Sequence, residues 1–264
     1  MSGIIDFHTH AFPDRVASAA IPALEAEGNI RAHLDGTVAG LLASMDRAGI
    51  DRSVVCSIAT RPEQFEPILR WSRAIRSERI IPLPSLHPAD PDLLDHLALV
   101  HAQGFKGIKM HSYYQDYLLD DPRLDPLYAS LAETGLILVI HAGYDIAYPR
   151  VRKADPGRIR TVCRRFPELK LVATHLGGWD EWEEVEQLLV GEPVWMELSF
   201  ALEHLDGERV RRILLAHPAD RLLFGTDSPW TDQAASLERL RQLRLPAELL
   251  TRITGANGRR LLGA

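Results

Sequence analysis

Eight short apolar runs, nearly every one followed by an amphipathic stretch, constrain this chain more than any other feature. The runs are 4–8, 53–58, 80–86, 107–111, 137–141, 169–175, 194–199 and 222–227. Helical spacing of apolar residues recurs between them, at about 36–48, 63–76, 90–103, 123–134, 156–165, 180–190, 206–216 and 232–243, with a closing helix over 246–262. Strands alternating with helices imply parallel βαβ units. Eight units in 264 residues predict an α/β chain closed as a (β/α)8 barrel. A doubly wound open sheet would usually carry a glycine-rich phosphate loop after its first strand. Here the first strand runs into His8-Thr9-His10-Ala11-Phe12-Pro13 instead. No linker or low-complexity tract interrupts residues 1–264, which read as one domain.

Hydrophobic residues make up 46% of the chain, enough for a large core, and the net charge is −6. Such a surface, without a long Lys/Arg run, does not attract nucleic acid. No apolar stretch is long enough to span a bilayer, and no secretory signal pattern is visible, so a cytoplasmic location is expected. Cys56 and Cys163 fall in a strand-like and a helix-like segment and read as buried free thiols. The longest connection, 11–35, contains a helix-like piece at Asp14–Glu27 suited to a lid.

Barrel active sites lie at the C-terminal ends of the strands, and polar residues concentrate there. His8 and His10 end the first strand, His87 follows the third, and Lys109 and His111 end the fourth. His141 and His175 end the fifth and sixth, Glu197 lies near the end of the seventh, and Asp227 ends the eighth. In a strand, i and i+2 share a face, so His8 and His10 can grip one divalent ion. Alone, a His-x-His pair is often a surface accident. Alternation places Lys109, His111, Val139, His141, Glu197, Ser199, Leu223, Gly225 and Asp227 inside the barrel. It also places Ala173 and His175 inside, with Val172 and Thr174 outside. Charged groups go inside only when paired or metal-bound.

Five motifs in order, Asp6-Phe-His8-Thr-His10, Gly104-Phe-Lys-Gly-Ile-Lys109-Met-His111, Val139-Ile-His141-Ala-Gly143, Thr174-His175-Leu-Gly-Gly178 and Phe224-Gly-Thr-Asp227-Ser-Pro229, resemble the amidohydrolase superfamily. Within it, the chain is most similar to the amidohydrolase-related family that includes aminocarboxymuconate-semialdehyde decarboxylase-like proteins. The resemblance implies His8, His10, His141 and Asp227 as metal ligands. It implies His175 and Asp227 as the catalytic pair, His175 positioning water or acting as acid/base and Asp227 handling protons. One divalent metal is implied, zinc before manganese, iron or cobalt. In dinuclear members a fourth-strand lysine is carboxylated and bridges two metals. Lys109 could do so, pair with a carboxylate such as Glu197, or bind an anionic substrate.

The resemblance implies a metal-dependent hydrolase that turns activated water on an amide, lactone or ester of a small organic substrate. Non-oxidative decarboxylation of a small aromatic or unsaturated acid is the alternative. A barrel that binds without catalysis would not need the complete set of five. Substrate contacts are expected from Lys109, His111, Arg61, Tyr144 and Trp230, with Arg150 and Arg152 as further loop arginines. Phe12, Tyr113, Tyr114, Tyr148 and Trp179 are strand-end aromatics that could wall a planar substrate or simply pack the loops. The partner is a small molecule, with neither nucleic acid nor membrane expected, and self-association stays open.

Overall fold

The computed structural model describes residues 3–263. Eight parallel strands form in chain order: β1 (Ile5–Thr9), β2 (Arg52–Cys56), β3 (Ile80–Leu83), β4 (Gly107–Met110), β5 (Ile137–Ile140), β6 (Lys170–Ala173), β7 (Trp195–Glu197) and β8 (Leu222–Leu223). They pair as two arcs, β1-β2-β3 and β4 through β8. The arcs join at both seams. Between β3 and β4, Lys109 N–H donates to Pro84 C=O at 2.9 Å. Between β8 and β1, Phe7 N–H donates to Phe224 C=O at 2.8 Å and Asp227 N–H to His8 C=O at 2.7 Å. The expected closed (β/α)8 barrel is the observed fold.

The helices are α1 (Asp14–Gly28), α2 (Val38–Ala48), α3 (Phe65–Ile75), α4 (Leu93–Ala102), α5 (Asp125–Thr134), α6 (Pro156–Arg165), α7 (Trp182–Leu188), α8 (Ala201–His204), α9 (Gly207–Ala216), α10 (Gln233–Gln242), α11 (Ala247–Thr251) and α12 (Asn257–Leu262). Several start where a side chain satisfies free N–H groups. Thr37 caps α2 by accepting from Gly40 N–H, Asp155 caps α6 ahead of Pro156, and Asp232 caps α10. The expected closing helix is divided: α11 and α12 flank a π-helical segment, Arg252–Ala256. The four-residue α8 was not expected. It follows Phe200, whose φ of 59° breaks the chain direction after β7.

Two apolar layers sit on the two faces of the strands. The outer layer, under the helices, includes Val55, Ile108, Met110, Leu138, Ile140, Ala173, Met196 and Phe224. The inner layer fills the barrel with Ile5, Phe7, Val54, Leu83, Val139, Val172, Trp195 and Leu223, and Leu261 and Leu262 of α12 join it. Alternation therefore holds for β4, β5, β7 and β8. It fails for β6, where Val172 is inside and Ala173 outside. His175 still reaches the interior because its φ is +56° and that of Leu176 is +54°. The backbone has left the β region, so counting back from His175 by twos gives the wrong face.

β1 uses a different device. Asp6 pairs with Ser53 but Thr9 pairs with Val55, so Phe7 and His8 together oppose one residue of β2. This bulge lets Phe7 pack inside and still turns His8 inward beyond it. Thr9 then points away, donating its hydroxyl to Val54 C=O at 2.8 Å. Both cysteines are buried and unbonded. Among the described residues, no helix is long and apolar enough to cross a membrane.

Candidate metal centre and active site

Four imidazoles converge at the barrel mouth, each with one ring nitrogen engaged and the other turned inward. His10 Nδ1–H donates to Cys56 C=O at 2.7 Å. His8 Nδ1–H donates to Glu197 Oε1 at 3.0 Å. His141 Nε2–H donates to Tyr144 C=O at 2.8 Å. Ser199 donates its hydroxyl to Glu197 Oε1 at 2.7 Å, so Ser199 Oγ accepts from His175 Nδ1–H at 2.9 Å. Those partners assign the tautomers. Four unprotonated nitrogens remain: His8 Nε2, His10 Nε2, His141 Nδ1 and His175 Nε2. The first two lie 3.2 Å apart and the last two 3.1 Å apart.

Lone pairs facing each other at these distances repel unless a cation or proton lies between them. Asp227 Oδ1 completes the arrangement, 2.9 Å from His10 Nε2 and 3.4 Å from His8 Nε2. It is buried without a hydrogen-bond partner. Ligands about 2.0–2.2 Å from one ion are separated by about 2.8–3.6 Å at octahedral to tetrahedral angles. The spacing of His8, His10 and Asp227 fits that span, so the donor set fits a divalent metal.

Burial favours the neutral form of His8, His141 and His175. It lowers the pKa of His8 and His175 well below the ordinary value, and that of His141 as well. Burial works against the Asp227 carboxylate, but His8, His10 and Lys109 outweigh it and keep its pKa below normal. Lys109 is fully buried, with its Nζ 3.3 Å from His8 Nε2. Burial lowers its pKa, against the pull of nearby acidic groups that include Asp227 and Glu197.

Glu197 organises this shell. Besides His8 and Ser199, it accepts from His175 N–H at 2.9 Å and, through Oε2, from Ser199 N–H at 2.8 Å. Gly225 makes room for it, since a Cβ there would lie 2.1 Å from Glu197 Oε2. Gly143, at φ +83°, permits a similar approach: a Cβ would lie 2.1 Å from Trp179 N. The contact fixes the turn that presents Tyr144 C=O to His141. His175 and Asp227 both hold left-handed backbone, φ +56° and +60°. Such conformations are costly for non-glycine residues and persist where the surroundings impose them.

A cavity of about 430 Å³ opens above this cluster. His8, His10, Lys109, His111, His141, His175 and Asp227 line it, as do Trp230, Phe12, Tyr114 and Trp179. Two of the expected substrate contacts do not line it. Arg61 is exposed and outside the lining, because its segment turns into a 3-10 helix at Pro62–Gln64. The Tyr144 ring is not in the lining either; it lies under Arg150, with the guanidinium carbon 3.9 Å from the ring centre. Tyr113, Tyr148 and His87 also stay out of the lining.

Asp145 was missed. It lies in the loop after β5, with Oδ2 3.4 Å from His111 Nε2 and 3.7 Å from His141 Nε2. Burial opposes its charge, but hydrogen bonding to His111, the closeness of both imidazoles and the Ala147 N–H hold its pKa down to about 2. Burial drives His111 to about 3. An acidic residue two after Gly143 was the only signal, and loop residues carry no periodicity. Glu197 was read as inward, but its role as common acceptor was not.

Residues 5–264 match the family model described as Amidohydrolase. The chain belongs to the amidohydrolase family. Solved structures share the fold along its whole length. An uncharacterized TIM-barrel protein from Bordetella bronchiseptica is 20% identical, with TM-score 0.79 over 99% of this chain and 98% of that one. A 5-carboxyvanillate decarboxylase from Novosphingobium aromaticivorans, complexed with manganese and 4-hydroxy-3-methoxy-5-nitrobenzoic acid, is 14% identical, with TM-score 0.75 over 100% and 96%. A candidate 2-pyrone-4,6-dicarboxylic acid hydrolase from Pseudomonas putida is 18% identical, with TM-score 0.69 over 100% and 98%. No curated protein matches the chain.

Proposed function

We propose that this amidohydrolase is a metal-dependent hydrolase of a small organic amide, lactone or ester. The observation that carries this reading is the His8–His10–Asp227 cluster, with the His141–His175 pair of unprotonated nitrogens, at the floor of the cavity. His8, His10, His141 and Asp227 would hold the ion, zinc first by donor type, with manganese, iron and cobalt as alternatives. When bound, the metal supplies Lewis acidity and acidifies water.

The protein's own groups do the rest. Asp227 accepts the proton that water loses as its oxygen joins the acyl carbon. It returns that proton to the departing nitrogen or oxygen when the acyl bond breaks. His175, anchored by Ser199, orients the water through its free Nε2. Lys109, desolvated beside His8, stabilises the oxygen on which negative charge develops. His111 borders the substrate, held by Asp145, and Trp230 supplies a flat wall.

The second reading is non-oxidative decarboxylation of a small aromatic or unsaturated acid. It draws on the name of the Novosphingobium neighbour and uses the same floor, with Lys109 facing the substrate carboxylate. Elemental analysis of protein purified without chelator should find about one equivalent of divalent transition metal; none would sink both readings. His175→Ala should keep the metal and lose turnover, whereas loss of the metal would make His175 a ligand. Carbon dioxide release from a carboxylated aromatic, without turnover of esters, lactones or amides, would replace the first reading by the second.

A further inference from the structure

The cavity wall is specific about charge. Above the polar floor it is built mainly from Phe12, Leu24, Ile58, Ile68, Trp71 and Trp230, with Ser57, Thr60, Gln64 and Tyr114 as neutral polar groups among them. The apolar strip continues to the rim, where Val16 and Ile146 line the opening while 42% and 46% exposed. α1 and the loop after β5 bring these two residues to the mouth.

Fixed positive charge is confined to one point. Among the described residues lining the cavity, Lys109 is the only lysine or arginine, and it lies at the floor beside His8. The nearby loop arginines are committed elsewhere. Arg150 pairs with Asp180 at 2.5 Å, and Arg152 pairs with Glu184, Glu181 and Asp155. Arg61 faces solvent. The carboxylates in the lining are Asp227 at the floor and Asp145 beside His111, so above the floor the only fixed charge is negative and disfavours a second anion.

We infer that the substrate is a lipophilic molecule with an apolar body, bearing no charged group other than the one at the reacting end. The inference rests on the catalytic reading above, because that reading defines which end reacts. A carboxylate pressed against the wall would lose water and gain no cationic partner. One at the floor meets Lys109 and the metal-holding residues. The class is thus neutral esters, lactones or amides of alkyl or aryl groups or, under the second reading, monoacids. Diacids and phosphorylated compounds are excluded.

The probes are 2-naphthoate and 2,6-naphthalenedicarboxylate. Whichever carboxylate of the diacid takes the floor, the other must face the wall. Calorimetry at pH 7.5 on the full chain, zinc-loaded and metal-stripped, should give the monoacid at least about 100-fold tighter binding than the diacid in both states. Equal or tighter binding of the diacid overturns the inference. Failure of the metal reading looks different: zinc loading leaves the affinity for 2-naphthoate unchanged while the preference for the monoacid persists. Ile68→Arg, on the half-buried face of α3, should recover at least about tenfold of diacid affinity without changing zinc content. No recovery would overturn the electrostatic basis of the exclusion.

Discussion

The two ends of the barrel are made from the same strands and obey opposite rules. At the bottom, Ile5, Ile137 and Trp195 meet Leu261 and Leu262, and the end is closed by apolar packing. Two guanidiniums, of Arg221 and Arg260, cover the Trp195 ring at 5.2 and 5.1 Å. At the mouth, His8, His141, His175, Lys109 and Asp227 are just as buried, but each is polar and depends on a directed partner. The bottom needs only shape and volume, whereas the mouth needs specific atoms at specific distances. Stability should therefore reside mainly in one end and chemistry in the other.

The largest effect should come from the mouth. Asp227→Asn removes the proton acceptor and the anionic donor together, so turnover should fall by about 10³ or more while the thermal midpoint of the stripped protein changes little. Retained turnover with retained metal would place the proton acceptor elsewhere. At the bottom the pattern should invert. Leu261→Ala should lower unfolding free energy by about 3 kcal/mol in denaturant titrations and leave metal stoichiometry intact. Metal loss in that variant would erase the distinction between the ends.

His217 sharpens the comparison through pH. It lies between α9 and β8, buried, donating Nε2–H to Val194 C=O at 2.9 Å. Burial lowers its pKa to about 4. The unfolded chain, with a value of about 6.5, takes up a proton first as pH falls. Stability is thus retained above about pH 6.5 and lost progressively down to about 4, by up to about 3 kcal/mol. His217→Gln should flatten that slope in unfolding titrations across the window; an unchanged slope would remove His217 as its source. The smallest effect belongs to Arg61→Ala, which should change turnover less than about twofold because the side chain lies outside the cavity. A larger loss would restore the arginine to the site.

The barrel was legible because its signal is repeated: eight apolar runs, each placing strand-end residues at the same rim. Lys109, His111, His141 and Glu197 followed from alternation, which holds while the backbone stays extended. It fails where the chain leaves that region. Val172 and Ala173 exchange faces because His175 enters through a left-handed turn, and His8 reaches the interior through a bulge that no residue pattern announces. Asp145 and Tyr144 lie in a loop, where geometry comes from contacts such as Gly143 against Trp179. Tyr144 contributes its carbonyl rather than its ring, because Arg150 holds the ring aside.

The seam between β8 and β1 also has a meaning in time. His10 leaves the ribosome about 217 residues before Asp227. At typical synthesis rates that interval is roughly 10–40 s. Until then β1 has a sheet neighbour on one side only, Phe7 lacks the Phe224 carbonyl, and the apolar side of α12 that covers the barrel floor does not yet exist. The nascent chain must carry Ile5 and Phe7 unsealed until β8 and α12 have been made. The histidine pair gains its carboxylate only at the step that closes the ring, so the assembled donor set marks a closed barrel.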